Sequence, residues 1–356
     1  MGSLRFLLAV TVVFTHAAGG GLIGGRFAVE CFFMISGYLI SYVLTEAKSY
    51  DSTWKFYVNR ALRILPLYYL VVLISFPAYL VAHIMFYENN QFGALSQMPL
   101  GVIFLIGFLN LIIIGQDQLF FLSLHGNTLN WTGDFLASDV ELYRGLMIPQ
   151  SWTLSIEFLF YMIAPFILNR KKVIYLLLAL SACLRILFIW KGFGLSDPWV
   201  YRFFPTELMF FLIGTLSHQV WAPFTLKMNY RTYLLCKWAG IVLIPIYFVT
   251  FPFWRSNYIA RNLFLFLLLS AVLPFFFKIQ NENKLDNFLG QLSFPIYIWH
   301  ILVIVFVGGL SEKIGLHPLV RICLIILTTL LVSLLGLLLL DSRVQKVRQA
   351  FRTRSY

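Results

Sequence analysis

Eleven apolar runs, separated by short polar stretches, constrain this 356-residue chain more than any other feature. They cover roughly 4–18, 27–45, 64–86, 99–114, 150–168, 173–190, 203–221, 238–254, 261–277, 292–310 and 318–340. Runs of ~18 or more apolar residues match the thickness of a bilayer core. Only 12% of residues are charged, with 60% hydrophobic, whereas soluble chains carry roughly 25% charged residues. The sequence therefore predicts an all-α polytopic membrane protein without a sizeable soluble domain. The net charge of +12 does not mark a nucleic-acid binder, because the basic residues sit in short loops and near the C-terminus. A polar His16 late in the first run, and no basic leader before it, argue against a cleaved signal peptide. Cys31, Cys183, Cys236 and Cys323 form no metal-ligand or disulfide spacing.

The positive-inside rule sets the expected topology. Eighteen of the 27 basic residues cluster at Arg5, in 46–63 (Lys48, Lys55, Arg60, Arg63), at Arg170–Lys172, in 222–237, in 278–291 and in the tail. If 99–114 crosses the membrane, the later clusters fall outside. If it is re-entrant, all of them fall inside, and Pro99, Gly101, Gly107 and its short length favour that choice. The expectation is about ten transmembrane helices plus one re-entrant segment, with both termini cytoplasmic in a multi-pass protein of the cytoplasmic (inner) membrane. Residues 1–341 form the transmembrane domain and 342–356 a basic cytoplasmic tail.

Several polar residues lie where apolar ones are expected. His16 closes the first run and Glu30 opens the second, at similar depth if the two helices form a hairpin. Ionisable groups inside a membrane are costly and mark function by default. The alternative is a buried pair that fixes packing. Arg60 and Arg63, at i and i+3, share a helix face and suit bidentate phosphate contacts, although such pairs are also common topology anchors. Ser151, Trp152, Thr153, Ser155 and Glu157, followed by Tyr161, give one helix a polar face. That face suits a hydroxylated ligand or hydrogen bonding between helices. His300 closes a last polar motif, Ser293-Phe294-Pro295-Ile296-Tyr297-Ile298-Trp299-His300.

Taken in order, these motifs, together with Arg5 and with Phe32-Phe33-Met34-Ile35-Ser36-Gly37-Tyr38-Leu39-Ile40, resemble the membrane-bound acyltransferase-3 family. Many of its members O-acetylate bacterial surface carbohydrates. The likeness runs from residue 5 to residue 300. Glu30-Cys31 stands where the family often has an Asp before the paired Phe residues, and Phe158 where it often has a second acidic residue.

The resemblance implies acyl transfer, most often acetyl from acetyl-CoA, to a hydroxyl of a cell-surface or secreted carbohydrate or a lipid-linked glycan. It implies no permanently bound cofactor, no metal and no nucleic-acid partner, and a chain in contact with membrane lipid. His16 is then the catalytic base or a transient acyl carrier, with Glu30 orienting it. Arg5, Arg60 and Arg63 hold the acyl-CoA. Ser151, Trp152, Ser155, Glu157, Tyr161 and His300 bind substrate. Some relatives carry an extracellular hydrolase-like domain after the last helix, and the sequence predicts none here. A glycan transporter or flippase, a non-acetyl donor and a small-molecule acceptor are the competing readings, but no inverted repeat supports the first of them.

Overall fold

The computed structural model describes residues 1–86, 90–193, 197–254 and 258–352. Helix α1 (Gly2–Ala18) ends at Gly19, whose φ of 72° is the left-handed conformation that stops a helix. The chain turns into α2 (Gly24–Ser41), which continues through a π-turn to Glu46. Then come α3 (Thr53–Phe86), the short α4 (Gln91–Leu95) and α5 (Leu100–Ile112). An irregular lobe leads to α6 (Trp152–Ile167), α7 (Lys171–Phe188) and α8 (Phe204–Leu216). A π-turn joins α8 to α9 (Ala222–Leu226), followed by α10 (Tyr230–Thr250) and α11 (Tyr258–Glu282). The chain closes with α12 (Lys284–Val303), α13 (Gly309–Lys313), α14 (Pro318–Gly336) and α15 (Ser342–Ala350).

The class is the expected one, an all-α polytopic membrane protein. Among the described residues, seven helices are long and apolar enough to span by length and composition. Of the other expected spans, α1 has 17 residues and α6 has 16. The third runs unbroken from α8 into α9 but carries Glu207, His218 and Gln219. The segment expected to be re-entrant, α5, has 13 residues and a rise of about 20 Å, short of the ~30 Å hydrocarbon core. Several helices start earlier than hydropathy suggests. The third begins at Thr53 rather than near 64, so Arg60 and Arg63 lie within α3 and not in a loop. Hydropathy marks the hydrocarbon, whereas backbone hydrogen bonding carries a helix on into the headgroup layer.

Burial separates inner from outer helices. The α2 span is 67% buried and the span beginning with α12 61%, against 11% for α7 and 28% for α10 and α14. The outer helices expose Leu180, Leu243, Leu327 and Leu331, as lipid-facing surfaces do. At the centre, α1 packs along α12 and α2, and α2 along α8. Glycine sets the α2–α8 distance: a Cβ on Gly37 would sit 1.9 Å from the Phe211 carbonyl oxygen, and one on Gly214 1.8 Å from that of Met34. Gly37→Ala is therefore expected to cost about 1–3 kcal/mol through overpacking. Thermal unfolding of purified protein checks this against Gly107→Ala, where an added Cβ meets nothing within 4 Å.

The lobe between α5 and α6 holds one feature the sequence reading missed, an antiparallel hairpin of β1 (Leu122–His125) and β2 (Thr128–Trp131). Its two-residue turn places Gly126 at φ 57°, a turn-forming position for glycine. Leu124 of β1 packs with Val102, Ile106, Leu142 and Leu146 in a small satellite core.

Candidate functional site

Both ends of α1 are fixed to α12. At the start, the Asp286 carboxylate accepts the backbone N–H groups of Gly2 at 2.7 Å and Ser3 at 2.8 Å, a negative charge at a helix N-terminus. At the far end, His16 Nδ1 lies 3.1 Å from His300 Nε2, with the rings stacked 5.0 Å apart. His16 lies fourteen positions after Gly2 and His300 fourteen positions after Asp286, a rise of about 21 Å on each of two parallel helices. The cap at one end therefore sets the histidine pair at the other.

Hydrogen bonding assigns the tautomers of that pair. His300 is fully buried, and its Nδ1 lies 2.7 Å from the Tyr297 carbonyl oxygen. A carbonyl only accepts, so His300 Nδ1 carries the hydrogen and neutral Nε2 is the acceptor. His16 then donates from Nδ1 and presents a bare Nε2. The Tyr297 carbonyl is further fixed by the Gln150 amide, which donates to it at 3.1 Å and to the Ile298 carbonyl at 2.9 Å. His16 itself is exposed at the end of α1, with Cε1 facing Gly25 at the start of α2.

The expected His16–Glu30 pair does not form. Arg185 Nη2 donates to Glu30 Oε1 at 2.6 Å, and Arg26 Nε lies 3.4 Å from the same oxygen. Arg185 Nη1 in turn meets Glu207 Oε1 at 2.8 Å. The reason is helix phase. Glu30 lies nearly two turns into α2, on the face toward α8 and within reach of Arg185 of α7, while α1 gives its His16 face to α12.

At the opposite end of α1 a vestibule of about 900 Å³ opens. Among the described residues its cations are Arg5, Lys48, Arg60, Arg63, Arg348 and Arg352, and no Asp or Glu lines it. Arg60 is buried, its Nη2 donating to Tyr50 Oη at 2.9 Å and to Asn59 Oδ1 at 3.3 Å. The Arg5 and Arg63 guanidinium groups have no hydrogen-bond or ion-pair partner among the described residues. A smaller cavity of about 90 Å³ continues inward, sharing Arg5, Arg60 and Arg63 with the vestibule and reaching Thr153 and Tyr297. In its wall Glu157 Oε1 accepts from Ser36 Oγ at 2.7 Å and from Tyr161 Oη. Thr153 Oγ1 and Tyr297 Oη bond at 3.0 Å. Tyr297 thus links the cavity, through its carbonyl, to the histidine pair.

Four of the expected substrate contacts do other work. Ser151 Oγ donates to Gln116 Oε1 and to the Ile148 carbonyl. Ser155 Oγ accepts from Gly115 N–H and donates to Asp117 Oδ1 at 2.6 Å. Both serines tie α6 to the lobe before it, and burial there pushes the Asp117 carboxyl above its usual range. Trp152 is buried, its ring 4.4 Å from the Arg202 guanidinium, which also stacks on Phe120 at 3.8 Å and pairs with Asp197. His300 lies behind the cavity wall, on His16. The sequence reading missed Arg185, Glu207 and Arg202. The signal for the first two was the one used for His16, an ionisable residue inside an apolar run. Among the described residues no three His, Cys, Asp or Glu side chains come together as a metal site.

The fold and site define a bundle of membrane helices with a cationic vestibule at one end of α1 and a hydrogen-bonded histidine pair at the other. The chain belongs to the membrane-bound acyltransferase-3 family, whose acyltransferase domain matches residues 2–338. It is similar to the O-acetyltransferase OatA of Staphylococcus aureus (strain NCTC 8325 / PS 47), at 27% identity over 94% of this chain and 55% of the relative. A protein of Staphylococcus aureus (strain COL), provisionally named an O-acetyltransferase, is 26% identical over 86% of this chain and 50% of its own length. The chain thus spans about half the length of the curated relatives it matches. No solved structure matches it.

Proposed function

We propose that this protein transfers an acyl group, acetyl foremost, from cytoplasmic acyl-CoA to a hydroxyl of a cell-surface or secreted carbohydrate. The observation that carries the reading is that the six-cation vestibule shares Arg5, Arg60 and Arg63 with a smaller cavity lined by Tyr297, whose carbonyl holds the histidine pair. Arginines suit the phosphates of CoA, and the narrow cavity suits its pantetheine arm. The positive-inside rule assigns the vestibule to the cytoplasmic side of the membrane, along with both termini. The acceptor then approaches His16 at the exposed end of α1. The names of the OatA relatives support O-acetyl transfer.

In the transfer, the acceptor oxygen attacks the thioester carbonyl carbon while its proton passes to His16 Nε2. The C–S bond breaks, and the imidazolium returns the proton to the leaving sulfur. The products are an ester and free CoA thiol. A covalent relay would use the same nitrogen, with the acyl group first on Nε2.

The test uses protein in proteoliposomes, acetyl-CoA and soluble oligosaccharides, with thiol release and ester formation as readouts. Ester formation matched by thiol release is expected, and neither product from well-folded protein would refute the proposal. Arg63→Ala is expected to raise the donor KM roughly 10–150-fold, the value of one charge-assisted hydrogen bond, with the acceptor KM unchanged. An unchanged donor KM would reduce Arg63 to a topology anchor.

A further inference from the structure

The segment expected to be a basic tail is, over Ser342–Ala350, a helix docked against α3. The Asn59 side-chain amide donates to the Arg348 carbonyl at 2.9 Å, and Arg348 Nη2 donates back to Asn59 Oδ1 at 3.4 Å. Asn59 is fully buried, and its Oδ1 also accepts from Arg60. One side chain therefore ties α15 to the arginine pair of α3. Arg348 and Arg352 complete the cationic wall of the vestibule. The Nε groups of Arg60 and Arg348 are both buried with no hydrogen-bond partner among the described residues. Burial and the charges of Arg63, Arg60 and Arg352 all disfavour the charged form of Arg348. Six cations around one cavity, with no lining carboxylate among the described residues, repel one another. Such an arrangement is relieved by a bound polyanion.

We propose that α15 is a wall of the acyl-donor site, with Arg348 and Arg352 binding phosphates at the nucleotide end of acyl-CoA. The inference rests on the acyl-CoA reading above and extends the donor site beyond Arg5, Arg60 and Arg63. Phosphate is also the chemistry of lipid headgroups, so the experiment must separate the two sources.

The full-length chain in neutral-lipid vesicles is assayed with acetyl-CoA and with S-acetylpantetheine, which keeps the thioester arm and lacks every phosphate. For Arg348→Gln/Arg352→Gln, the ratio of kcat/KM for acetyl-CoA to that for S-acetylpantetheine is expected to fall about 10-fold or more. Because it is a ratio, it does not depend on the folded fraction. Arg348→Lys/Arg352→Lys is expected to restore the ratio in part, since an ammonium keeps the charge but not the forked contact. An unchanged ratio would overturn the assignment, as would equal losses with both donors. A ratio that responds only when anionic lipid is added would assign the arginines to headgroups and overturn it too. If the wild-type chain neither consumes acetyl-CoA nor gains thermal stability from CoA, the acyl-CoA reading itself fails, and this inference with it.

Discussion

His16→Gln is expected to lower acyl transfer by about 10²–10⁴-fold, the usual contribution of a general base, with little change in stability. A covalent relay would enlarge the loss. The reasoning starts from the tautomer chain. The Tyr297 carbonyl fixes His300 Nδ1 as a donor, and His300 Nε2 fixes His16 Nδ1 as a donor. The basic lone pair of His16 Nε2 therefore points away from the protein's own hydrogen bonds. Glutamine keeps most of the volume and one donor toward His300 but offers no nitrogen that takes up a proton. Stability is spared because His16 is exposed and glutamine keeps a donor for its ring partners, His300 and the Val12 backbone. His300→Gln tests the positioning role separately: kcat should fall less than for His16→Gln, with the donor KM unchanged. Ester formation at the wild-type rate by His16→Gln would exclude both the base and the acyl-carrier mechanisms.

Much of the fold was legible because membrane helices announce themselves by length and apolarity. Each of the eleven apolar runs became a helix or the body of one. Boundaries were less legible, since helices such as α3 and α12 run on through polar residues that hydropathy counts as loop. The hairpin at 122–131 escaped notice because its strands are short and β2 is wholly exposed. For the site, the sequence singled out His16 and His300 but not that they touch. The matched spacing from Gly2 and Asp286 shows it only once α1 and α12 are known to be parallel neighbours. Glu30 was assigned to His16 by depth alone. Depth says nothing of azimuth around the helix, and azimuth decided the partner. The serines at 151 and 155 point to the same lesson: a polar helix face identifies hydrogen bonding without saying whether ligand or lobe receives it.

Glu30→Gln is the substitution that separates the two views of that carboxylate, and it is expected to unfold the protein more readily by about 3–5 kcal/mol. Glu30 is fully buried and shares Arg185 with Glu207, while Arg26 lies alongside. Two guanidinium groups and two carboxylates make a neutral cluster tying α2 to α7 and α8. Removing one carboxylate leaves a net positive charge in a water-excluded layer, and an uncompensated buried charge is far costlier than a missing pair. The double variant Glu30→Gln/Arg185→Gln restores neutrality, with Arg26 and Glu207 remaining. It is expected to be more stable than the two single losses combined, by about 0.5–3 kcal/mol of coupling. Thermal unfolding of the wild type, both singles and the double gives that coupling directly. Turnover per folded molecule, measured on the same samples, decides function. If Glu30→Gln keeps its thermal midpoint and loses turnover, the carboxylate acts in the chemistry, as its place in the sequence suggested. If the midpoint falls and turnover per folded molecule survives, the four-residue cluster is the clamp that holds α2 in register, and His300 alone orients the base.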